Sequence, residues 1–145
     1  MSSKQDDLKF LISEQDKIIF LRVLTALSKI DNHFSESEKD AIIDSAIMFG
    51  IPESKIPTIF NDASPDKVLS EAAQITDRCL ALYLIKETCL IANIDGDLSD
   101  DEVIFIGKLG EAMNIELEKV EQISQWVLDY LLLQEQEKII FEKDK

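Results

Sequence analysis

Glycine and proline are scarce in this chain, four and three residues out of 145. So few chain breakers point to long helices with few sharp turns. No stretch alternates apolar and polar residues between turn signals, and the Asp95-Gly96 pair is flanked by helical periodicity, so a hairpin is rejected. Cysteine occurs only at Cys79 and Cys89. Ten residues of helix would set them ~15 Å apart, beyond disulfide reach. Both sit among apolar neighbours and read as buried, inert thiols. There is no CxxC, and the lone histidine, His33, leaves no Cys/His spacing for zinc.

Positive charge is also short. Fifteen Lys and Arg face twenty-nine Asp and Glu, a formal charge of −14. Such a surface repels nucleic acid and anionic lipid, and it favours a cation or a basic protein partner. The residues Met1 to Asp7 lack the basic-then-apolar pattern of a signal peptide. No apolar run approaches the ~20 residues that span a bilayer. The expectation is a soluble cytoplasmic protein without membrane insertion.

Enzyme signatures are missing as well. The chain has no GxSxG, no Walker loop, no GxGxxG and no Glu-x-x-His pair. With one histidine, nucleophile–base pairs have little material. A non-enzymatic chain with no organic cofactor is expected.

What is present is helical periodicity and one acidic stretch. Apolar residues recur at three- and four-residue spacing over about 14–30, with Ile18, Leu21, Leu24 and Leu27 in the stripe. Further helices are expected over about 36–49, 54–61, 65–74, 77–93, 100–113 and 117–135, and residues 6–12 read as a short leading helix bearing Leu8, Leu11 and Ile12. Thr76 is the expected cap of the 77–93 segment. That segment is apolar nearly all round, which marks a central helix. Helix 100–113 should turn Val103, Ile106, Gly110 and Met113 inward. Gly107 and Gly110 lower helix propensity, and close approach of another helix would explain them. Trp126, Tyr130 and Leu131-Leu132-Leu133 fit either a docking strip or the core face of the last helix, with core packing the preferred reading.

The acidic stretch is Asn93-Ile94-Asp95-Gly96-Asp97-Leu98-Ser99-Asp100-Asp101-Glu102. Ser99-x-x-Glu102 reads as a capping box, with Asp100 and Asp101 in the first turn, where the helix dipole favours them. Asp95 and Asp97 are left over. A weaker copy runs from Ile30 to Glu38. At an offset of 64 residues, Ile30, Asp31, Ser35, Glu38, Ile42, Ile51 and Lys55 meet identical residues. Chance would give roughly one or two such matches over this length. An internal duplication follows, each unit being helix, acidic loop, helix, isoleucine and further helix.

Oxygen ligands in a tight turn suit a hard cation. Asp95, Asp97 and Ser99 repeat at every second residue, like the opening of an EF-hand loop. The sixth position is Asp100 rather than Gly and the twelfth is Ile106 rather than Glu, so the loop is not an EF-hand. A shorter site of Asp95, Asp97 and Glu102 would bind a divalent cation, Ca²⁺ or Mg²⁺ ahead of Zn²⁺. Asp31 and Glu38 form the poorer set of the first copy. Glu102 cannot fully serve both cap and metal, so a cap-only reading stands beside the metal reading.

The duplicated acidic loop resembles the tellurite-resistance TerB family, whose pattern is Asp-Gly, a small or apolar spacer, then Glu just inside the next helix. Here the pattern is Asp95-Gly96-Asp97-Leu98-Ser99-Asp100-Asp101-Glu102, with a degenerate copy from Asp31 to Glu38 and matching junctions at Ile51 and Ile115. The likeness covers roughly residues 14–132. Asn32 and His33 depart from the pattern. The resemblance implies an all-α fold of about seven helices in a compact bundle with two internally duplicated units. It also implies acidic clusters for a divalent cation and a part in metal or stress-response complexes through protein partners. On this chain the implied ligands are Asp95, Asp97 and Glu102, then Asp31 and Glu38. One domain over 1–145 is expected, with repeats at about 14–63 and 77–133 and residues 134–145 as a polar tail or helix extension. The function expected is an acidic helical module that binds a divalent cation at the helix–loop junctions and acts through protein partners. The alternative is a pure interaction module whose acidic loops are only caps.

Overall fold

The computed structural model describes residues 12–30, 34–94 and 98–142. Among them are seven α-helices and no strand: α1 (Glu14–Lys29), α2 (Glu36–Met48), α3 (Ile56–Phe60), α4 (Pro65–Ala72), α5 (Arg78–Ile94), α6 (Asp100–Ala112) and α7 (Leu117–Phe141), with a single 3₁₀ turn, Glu53–Lys55, ahead of α3. The all-α bundle expected from the sequence is what forms.

Helix starts follow the local chemistry. Ser13 accepts from the Asp16 amide at 3.1 Å to open α1. Pro65 opens α4 as its first helical residue, where a missing N–H costs nothing. Asp77, rather than Thr76, caps α5, since its Oδ1 accepts from the Leu80 amide at 3.2 Å and its carbonyl from Ala81. The Asp carboxylate is the stronger acceptor and sits one residue closer to the first turn.

Helix stops repeat 64 residues apart. Gly50 (φ 78°) and Asn114 (φ 61°) both take the left-handed conformation after α2 and α6. The next amide then reaches back over the last turn, Ile51 to the Ala46 carbonyl at 3.0 Å and Ile115 to the Gly110 carbonyl at 2.8 Å. Ile51 and Ile115 are both buried, as are Ile42 and Ile106. The duplication read from residue identities is thus also one of backbone events.

In packing, α1 meets α2, α3, α4 and α5, while α5 meets α1, α6 and α7, and α4 also reaches α6. Residues Ile19 to Leu27 of α1 are buried without interruption. The enclosed α1 thus shares the core with α5, the helix expected to be central. Leu80, Ala81, Leu84, Ile85 and Cys89 of α5 are buried, but Leu82, Tyr83, Leu90 and Ile91 are only partly covered.

Helix α6 turns Ile106, Gly110 and Met113 inward as expected, and departs only at Val103. Val103 is 52% exposed, whereas Phe105 and Leu109 are buried with Ile106. Contact with α4, α5 and α7 selects that face. The two glycines of α6 also separate. A Cβ on Gly110 would lie 2.6 Å from Val120 Cγ2, so close approach of α7 explains this residue; a Cβ on Gly107 would meet nothing within 4 Å. Val120 is β-branched and helical, so it has little rotamer freedom to yield. Gly107→Ala is therefore expected to stabilise by up to about 1 kcal/mol. Gly110→Ala gains the same propensity but overpacks, and a net loss of about 1–3 kcal/mol is expected. Chemical unfolding of the two variants checks the opposite signs; a stabilised Gly110→Ala would refute the close-approach account.

Candidate functional site

The two acidic junctions are built alike. In the first, the Glu38 amide donates to Ser35 Oγ at 3.1 Å and the Ser35 amide donates to Glu38 Oε1 at 3.1 Å. In the second, the Glu102 amide donates to Ser99 Oγ at 3.2 Å and the Ser99 amide donates to Glu102 Oε1 at 2.9 Å. Both capping boxes are complete. Glu102 is 7% exposed, whereas Glu38 is half-buried. Asp100 and Asp101 stay exposed in the first turn of α6.

Of the five carboxylates expected to hold a cation, Glu38 and Glu102 are therefore seen, and each has Oε1 engaged in a cap. Asp31, Asp95 and Asp97, with His33, lie outside the described residues. Among the described residues, no group of three or more His, Cys, Asp or Glu is placed to hold a metal ion.

Two further clusters were not expected. Arg22, on α1, is 7% exposed and makes four hydrogen bonds. Its Nε donates to Glu71 Oε1 at 2.8 Å, and its guanidinium also donates to the carbonyls of Thr58, Asn61 and Asp62 at 2.6, 2.7 and 3.0 Å. An arginine in an apolar stripe looks like an interruption in the sequence; its role depends on the end of α3, which folding brings to it. Exposed Arg78 forks onto both oxygens of Glu116 at 2.8 and 2.9 Å. The hydrogen bond from Arg78 holds the Glu116 carboxyl down at about 2.

The thiols also differ. Cys79 is exposed, against the expectation of burial; it lies in the first turn of α5, in a run of exposed residues from Thr76 to Cys79. Cys89 is buried, and burial pushes its thiol up to about 11, an inert state at neutral pH.

The largest departure is at α7. The helix runs on to Phe141, so most of the tail extends it rather than docking separately. Val120 and Val127 are buried, and Ile123 and Leu131 pack partly against the core. Beyond Leu131 every described residue is exposed. Trp126, Tyr130, Leu132 and Leu133 are exposed, which corrects the preferred core reading for the strip; Leu131 alone of its leucines stays against the core. Ile139, Ile140 and Phe141 are exposed as well. The Trp126 and Tyr130 rings stack with centroids 5.4 Å apart. No helix among the described residues is long and apolar enough to cross a membrane, so this surface is not a bilayer span.

No protein-family model matches the chain, and neither does a curated protein or a solved structure.

Proposed function

We propose that the chain is a non-enzymatic interaction module that holds a basic, amphipathic helix of another protein along the exposed end of α7. The observation that carries this reading is the row Trp126, Leu133 and Ile140, spaced by seven residues and all exposed. Seven-residue spacing is the period with which one helix follows another, and a second α-helix would cover the row over two heptads. Tyr130 broadens it next to Trp126. Charge selects the partner: from Leu117 to Glu142 the helix carries six carboxylates and two lysines, within a chain of charge −14. A second copy would bring like charge, whereas a Lys- or Arg-flanked helix would be attracted.

Trp126 is the only tryptophan of the chain, so its emission reports on this face. Adding a synthetic Lys-rich amphipathic helix to the full chain is expected to shift that emission to shorter wavelength, and Leu133→Glu should abolish the shift while leaving thermal unfolding unchanged. An equal shift in wild type and Leu133→Glu, or none in either, rules the reading out. Sedimentation showing a dimer without peptide would assign the face to self-association instead.

A second reading keeps a divalent cation at the acidic junctions, on Asp95, Asp97 and Glu102 and more weakly on Asp31 and Glu38. What supports it is the crowding of carboxylates in a short loop and its repetition after 64 residues. The same crowding is the feature shared with TerB, whose implied role in metal stress would follow only from this reading. A cation at 100 times its dissociation constant should add about 2.7 kcal/mol to folding stability. Chelator-treated protein is expected to melt higher with millimolar Ca²⁺ or Mg²⁺, and Asp95→Asn/Asp97→Asn to lose that rise. An equal rise in both proteins is general charge screening and removes the site.

A further inference from the structure

Helix α7 is apolar on more than one open side. Besides Trp126, Leu133 and Ile140 it exposes Leu128, Leu132 and Ile139. Each residue advances about 100° around a helix, so Trp126, Leu133 and Ile140 fall within about 40° of one another, and Leu128, Leu132 and Ile139 do the same. The two rows are centred about 120° apart. The strip between them is polar, formed by exposed Gln125, Asp129 and Gln136, and Gln125 donates to Asp129 there at 3.0 Å. Buried Val120 and Val127 lie on the opposite side, so each open row also stands about 120° from the core-facing one. Leucines scattered singly on a surface call for no partner, but these form a row. A helix is covered by its neighbour over a stripe of about 100°, so a helix laid on Trp126, Leu133 and Ile140 leaves the other row bare.

Resting on the reading of α7 as a seat for a partner helix, we infer that two basic amphipathic helices clasp it, the second along Leu128, Leu132 and Ile139. Helices pack with axes about 8–10 Å apart, so two helices held about 120° apart on α7 lie about 16 Å from each other, too far to pack together. The partner therefore presents two separate helices, one on each flank, rather than a closed hairpin. Charge selects them on the second row as on the first. Exposed Glu121 and Glu135 stand seven residues before and after Leu128 and border the row with carboxylates. Lys or Arg beside the apolar face of the incoming helix would be attracted there, whereas α7 of a second copy would set like charge against like.

Calorimetric titration of the full chain with the synthetic Lys-rich amphipathic helix counts the seats. Two peptides should bind per chain. Leu132→Glu should leave one and retain the Trp126 shift, while Leu133→Glu should leave one and lose it. Ile139→Glu, at the far end of the second row, should repeat the result of Leu132→Glu. All three positions are exposed, so the variants should unfold at the wild-type temperature. One peptide per wild-type chain, lost with Leu133→Glu and untouched by Leu132→Glu and Ile139→Glu, overturns the second seat and keeps the first. Absence of binding, or two peptides bound whatever the variant, overturns both. A dimer of the free chain that Leu132→Glu separates also overturns the second seat, by giving its row to another copy.

Discussion

Arg22→Ala is expected to lower folding stability by about 3–5 kcal/mol, the usual loss when one partner of a buried ionic network is removed. The guanidinium does two jobs from one buried position on α1. It pairs with Glu71 of α4 and it satisfies the carbonyls of Thr58, Asn61 and Asp62, where α3 ends and the chain turns through Asp62 at φ 53°. Helix-end carbonyls have no intrahelical donor, so deleting Arg22 strands them together with a carboxylate. Arg22→Lys should recover little of the loss, because one ammonium cannot present a planar fork to acceptors on several sides. Urea unfolding measures both, and a loss under about 1 kcal/mol for Arg22→Ala would show that water replaces the network without penalty.

Leu21→Ala and Ile85→Ala are each expected to cost about 2–5 kcal/mol, transfer and cavity terms together. The two residues stand 64 positions apart at the heart of α1 and α5, and neither exposes any surface. At this chain length each kcal/mol should lower the melting temperature by about 2–4 °C. Ile85→Val should cost only about 0.5–1.5 kcal/mol, since it deletes one methyl group. If Ile85→Ala costs no more than Ile85→Val, the neighbours have collapsed into the space, and the packing around α5 is looser than around α1.

Much of this molecule was legible in its residues. Ser35 and Ser99 with their glutamates, Pro65 at a helix start, and Gly50 and Asn114 at helix stops act through hydrogen bonds and dihedral preferences within a turn. Such events depend on neighbours in the chain, so a sequence carries them directly. The duplication was legible for the same reason: repeated caps and stops leave repeated letters.

Burial was the part not legible, because it depends on which helices meet. Val103 and Phe105 are both apolar residues of α6, and only contact with α4, α5 and α7 decides that Phe105 goes in. Cys79 and Cys89 look alike in sequence, yet one is exposed at the start of α5 and the other lies in the core. Trp126 lies on the outward face of α7 beside buried Val127, and Leu133 continues the apolar pattern past Leu131, the last residue of α7 that packs on the core. Arg22 breaks an apolar stripe, and its reason lies 36 to 49 residues away. By itself the sequence determined helix content, the capped helix ends at Ser35, Ser99, Gly50 and Asn114 and the two-unit repeat, since these rest on local hydrogen bonding and periodicity. Only the tertiary structure decided that α1 is enclosed, that α5 keeps one face half open, and that α7 outruns its support, since each of these is a matter of where another helix stops.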